Sequence, residues 1–143
     1  MPTTEERAPE TIAAAAPVRP APADTRSWLG QRISTEAAIM LGTVWYVLFS
    51  IGVAVEPQTD ASAPVLATAL GFVSLGLLAL MAVGLVARRR WGLLAALGGG
   101  GLFLALSVAC PTTGHHPVAA WWFVQMACAV GLVGASAYAL RRA

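Results

Sequence analysis

The chain of 143 residues is 57% hydrophobic and only 11% charged, with a formal net charge of +2 and a mean hydropathy of +0.70. A water-soluble domain of this length needs far more polar surface, so the apolar excess belongs to membrane-spanning segments. The near-neutral balance carries no sign of a nucleic-acid partner, and two cysteines are too few for a disulfide framework.

Residues 1–33 read as a cytoplasmic tail. Met1 to Asp24 is rich in Ala, Pro and Thr, with Glu5, Glu6, Arg7 and Glu10 near its start. Too few large apolar groups are present to offset the entropy of ordering, so disorder is expected. The acidic start and the short, weakly apolar run Ala13 to Ala16 argue against a signal peptide. Trp28, Leu29 and Ile33, with Arg26 and Arg32, form a candidate interfacial segment, since Trp sits well at headgroup depth and Arg can snorkel.

Residues 34–143 read as an all-α membrane domain of four transmembrane helices. The first span covers about 37–55, with Ser34 as its N-cap and Glu36 at the positive end of the helix dipole. The second covers about 64–87, with Pro64 at the first turn. The third, about 91–110, is expected to stop at Pro111. The fourth covers about 118–140, with Pro117 at its start. Each is about 19 to 24 residues long, enough to cross a hydrocarbon core of about 30 Å.

The arginines set the expected orientation. All nine basic residues are Arg, a bias that fits a GC-rich genome and hence a bacterial inner membrane. Arg7, Arg19, Arg26 and Arg32 precede the first span, Arg88, Arg89 and Arg90 separate the second from the third, and Arg141 and Arg142 follow the fourth. With both termini inside, all of them fall on the cytoplasmic face of a multi-pass protein. Arg88–Arg90 and Arg141–Arg142 are therefore read as topology anchors. An anionic-lipid site at Arg88–Arg90 is the competing reading.

Lipid gives helices no hydrophobic drive to associate, so close packing needs small residues. Gly98 and the stripe Gly101, Ala105 and Ala109 make the third span the expected packing face, matched by Gly131 and Ala135 on the fourth. Short connections predict an up-down antiparallel bundle. Self-association through an exposed glycine face is open to such a small bundle.

No Asp, Glu, Lys, Arg or His lies deep in any span, which disfavours ion-coupled transport. The uncharged polar groups Tyr46, Ser50, Thr68, Ser107 and Gln125 cluster toward the outer half of the spans. They can line a small pocket, or they can be interhelical hydrogen bonds worth about 0.6 kcal/mol each.

Cys110, His115 and His116 lie within seven residues in the loop between the third and fourth spans. Thiolate and imidazole bind zinc or copper, and imidazole also binds haem iron, so these three are the candidate metal or haem ligands. The simpler reading is a polar connection, because adjacent histidines rarely aim both rings at one ion. A Cys110–Cys128 disulfide is disfavoured by depth, and no P-loop, nucleophile elbow or HExxH is present.

The expected function is a non-catalytic accessory, assembly or stabilising subunit, acting through its helices in the lipid bilayer within a larger membrane complex. The alternatives are an outward-facing metal- or haem-binding redox module and a small-solute transporter or channel.

Overall fold

The computed structural model describes residues 28–57, 65–112 and 118–143. These form a short 3-10 turn, Trp28–Gly30, and four α-helices: α1 (Thr35–Ala54), α2 (Val65–Val86), α3 (Arg90–Thr112) and α4 (Ala120–Arg142). All four are long and apolar enough to cross a membrane. The tail as far as residue 27, Pro64, and the histidine loop with Pro117 lie outside the described residues.

Local chemistry explains several helix ends. Ser34 caps α1, its hydroxyl accepting from the Ala37 N–H at 3.1 Å. At the end of α2 the Arg88 N–H donates to the Leu85 carbonyl at 3.0 Å and the Arg89 N–H to the Gly84 carbonyl at 2.8 Å. That paired pattern is a Schellman motif, and it puts Arg88 at φ 53°, where glycine is usual.

Pro111 does not stop α3, which runs on to Thr112. Proline at this position removes the N–H that would bond the carbonyl four residues back, on Ser107. The Trp122 indole supplies the missing donor, its Nε1–H donating to the Ser107 carbonyl at 2.8 Å. The Ser107 hydroxyl donates in turn to the Phe103 carbonyl at 2.8 Å. An orphan carbonyl in lipid is costly, so Trp122 is what allows a proline in the last turn of α3.

The core is a three-way junction. Trp45, 1% exposed, reaches from α1 to both α3 and α4. Its Nε1–H donates to the Ser136 hydroxyl at 3.1 Å, and its ring lies against Gly99, where an added Cβ would stand 3.2 Å from the indole. Phe49 continues the stack, 5.8 Å from Trp45 and 5.4 Å from Phe103 between ring centroids. Gly131 passes close to Leu48, Gly52 fits between Phe103 and Cys128, and Gly100 meets the α4 backbone at Leu132 and Val133. α2 joins through its own hairpin, where a Cβ on Gly84 would come 2.3 Å from the Gly92 Cα. α2 packs on α3, α3 on α4 and α4 on α1, while the consecutive α1 and α2 scarcely touch.

The small-residue stripe expected to pack is displaced. Nothing lies within 4 Å of a Cβ built on Gly101, and Ala105 and Ala109 are exposed. The buried face of α3 instead runs through Gly92, Ala96, Gly99, Gly100 and Ser107, roughly 150° round the helix from Gly101. Gly98 makes only an ordinary contact with Leu77, at 3.8 Å. On α4, Gly131 does pack, and Ala135 lies against the core cluster.

Two outcomes follow for stability in detergent, read by thermal denaturation. Gly92→Ala drives a methyl into the α2 backbone and should cost about 1–3 kcal/mol, while Gly101→Ala should be neutral or slightly stabilising, as alanine is the better helix former. Trp122→Phe orphans the Ser107 carbonyl and should cost about 1–3 kcal/mol. In a Pro111→Ala background, the restored N–H should abolish most of that cost. Equal costs in the two backgrounds would refute the proposed exchange of donors.

Candidate functional site

One end of the bundle is tied by arginines. The segment before α1 folds back on the α2–α3 turn. The Ile33 N–H donates to the Arg88 carbonyl at 2.9 Å and the Arg90 N–H to the Gln31 carbonyl at 3.2 Å. Each anchor arginine also has a side-chain role. Arg88 donates to the Thr35 hydroxyl at 2.9 Å, Arg89 to the Gly30 carbonyl, and Arg90 to the Ala143 carbonyl oxygen while its guanidinium lies 5.1 Å from the Trp28 ring centroid. Ile33 is buried in the core, so the segment from Trp28 on packs with the helices. Arg141 and Arg142 are exposed, and Arg142 lies 5.4 Å from the Tyr138 ring centroid.

At the other end, Cys110 is half-buried near the end of α3 and unbridged, and Cys128 is buried and also unbridged. The structure brings Glu56, from the end of α1, within electrostatic reach of Cys110. That pairing was not foreseen, because the two residues are 54 positions apart in the sequence. His115 and His116 lie outside the described residues. Among the described residues no group of three His, Cys, Asp or Glu side chains forms a ready metal centre.

The five uncharged polar candidates do not meet in one pocket. Ser50 and Thr68 are exposed, and Tyr46 is 76% exposed. The buried face of α1 runs through Ala38, Leu41, Trp45 and Gly52, which turns Tyr46 and Ser50 outward. Ser107 and Gln125 are buried, at 2% and 4% exposure. Ser107 is used in the Pro111 exchange, and the Gln125 Oε1 has no hydrogen-bond partner among the described residues. The buried polar pair that sequence reading missed is Trp45 with Ser136. The available signal was a tryptophan at mid-span, far from the interfaces that tryptophan prefers and carrying an N–H that needs an acceptor.

Two apolar grooves open at the arginine end. One, of about 600 Å³, lies in the α1–α2 seam between Ile39, Gly42 and Tyr46 on one side and Met81 and Leu85 on the other, with Thr35 and Arg88 at its end. The second, of about 590 Å³, lies between α1 and α4 and has Arg32, Glu36 and Arg142 at its rim.

The chain matches no protein-family model, no curated protein and no solved structure. The geometry of its own residues therefore carries the functional reading.

A buried carbonyl without a donor costs about 1–3 kcal/mol. Gln125→Met keeps the volume and removes that group, so it should hold or raise the melting temperature. A marked fall would show that the amide oxygen has an essential partner.

Proposed function

We propose that this protein is a non-catalytic accessory, assembly or stabilising subunit of a bacterial inner-membrane complex. It is an up-down four-helix bundle with both termini in the cytoplasm, where its arginines satisfy the positive-inside rule. The observation that carries the reading is the division of its small residues into two sets. One set closes the core, and the other faces outward, with nothing within 4 Å of a Cβ on Gly71, Gly76, Gly101 or Gly134. In lipid such faces serve close approach to other helices, through dispersion and weak hydrogen bonds rather than hydrophobic burial. The core polar groups Trp45, Ser136, Ser107 and Trp122 are engaged in holding helices together, which fits a packing role better than chemistry.

A second reading makes Cys110, His115 and His116 the ligands of a metal or haem. Thiolate and imidazole are the ligand types of a zinc or copper site, with haem ligated by imidazole as the redox variant.

The full chain, purified from its own membrane in mild detergent beside the His115→Ala/His116→Ala double variant, separates the readings. The accessory role predicts a stoichiometric membrane partner retained by both forms, and metal-free, colourless protein. Stoichiometric metal or a haem absorption band, lost in the double variant, would replace that role with the redox module. Solute flux by the purified protein alone in vesicles would replace it with transport.

A further inference from the structure

We infer that the α1–α2 seam is a seat for one anionic phospholipid, with an acyl chain in the groove and the headgroup phosphate on Arg88 and Thr35. This goes beyond the accessory role and needs only that the helices stand in a bilayer.

The groove is lined mainly by apolar groups, with the neutral hydroxyl residues Thr43 and Tyr46 along it and its charged group, Arg88, at one end beside Thr35. From Thr35 to Tyr46 it follows α1 for about 16 Å, roughly half the hydrocarbon core. The walls bring no acidic residue, and the cation at the end is Arg88. A lipid of the same leaflet presents that order of chemistry, a hydrocarbon chain below and a phosphate at interface depth. The facing surface of another apolar helix would fill the groove but give Arg88 no counter-charge. The α1–α4 groove is the weaker seat, because Glu36 stands at its rim with Arg32 and Arg142.

The backbone at Arg88 supplies an independent argument. This is the only non-glycine residue with positive φ among the described residues, and the left-handed conformation costs an L-residue about 1–2 kcal/mol. Glycine would complete the same Schellman turn without that cost. The neighbouring Arg89 and Arg90 already provide positive charge at this turn. An arginine kept where glycine fits better points to its side chain, and one hydrogen bond to the Thr35 hydroxyl leaves most guanidinium donors available for a phosphate.

Native mass spectrometry of the full chain with equal amounts of phosphatidylglycerol and phosphatidylcholine of the same acyl chains tests this. The wild type should keep one phosphatidylglycerol in preference to phosphatidylcholine. Arg88→Gly should lower that preference about fivefold with the melting temperature unchanged or raised, and Arg88→Asn, which also tolerates positive φ, should do the same. Arg141→Gln removes an equal charge elsewhere and should leave the preference intact. Gly42→Leu should fill the seat and release the bound lipid of either kind. The inference fails if the wild type shows no headgroup preference. It fails equally if Arg141→Gln acts as strongly as Arg88→Gly, or if a second copy of the chain occupies the seam.

Discussion

The bundle depends on Trp45. In lipid an indole N–H cannot be left to solvent, so the ring must be placed where an acceptor stands. The Ser136 hydroxyl on α4 is that acceptor, and reaching it lays the ring across Gly99 of α3. One side chain therefore fixes the relative positions of three helices. A larger residue at Gly99 or a missing hydroxyl at position 136 would force the ring elsewhere, and Phe49 and Phe103 would follow, since they stack outward from it. α2 lies outside this junction. It is held to α3 by the backbone approach of Gly84 and Gly92, and that separate attachment leaves its seam with α1 open.

The four spans were legible because a stretch of about 20 apolar residues has little else to be. Their inward faces were not. A soluble helix shows its core side as an apolar stripe, but here the outward side is apolar as well: Ile39, Phe72 and Phe123 are more than 60% exposed. Gly98 to Gly101 cover every direction around α3, so small-residue spacing alone does not choose among them. Selecting Gly101, Ala105 and Ala109 over Gly99 and Gly100 was a choice of phase, and the phase is set by Trp45, a residue on another helix. The same uncertainty of phase moved Tyr46 and Ser50 from an imagined pocket to the outer surface.

At the arginine end the sequence signal was incomplete in content. A run of three arginines is sufficient as a topology signal, and nothing in it foretells that the backbone reverses through Arg88. The reversal turns the three guanidiniums in different directions, toward Thr35, Gly30 and Ala143. It also exposes the backbone groups that pair with Gln31 and Ile33. The charge run thus ties the first and last described segments to the α2–α3 turn. Ile33, read as interfacial, becomes core for the same reason.

At the opposite end the described residues use a different device. The Ser107 carbonyl is satisfied by a side chain from the next helix rather than by its own helix, so the Trp122 indole ties α3 to α4 there. α4 begins at Ala120 with no side-chain cap, because alanine at position 119 has nothing to offer the first N–H groups. The first N–H groups of α4 therefore look to other partners, while the Trp122 bond joins the two helices just inside that end. The arginine end, with its crossed hydrogen bonds, is suited to holding a fixed shape against lipid.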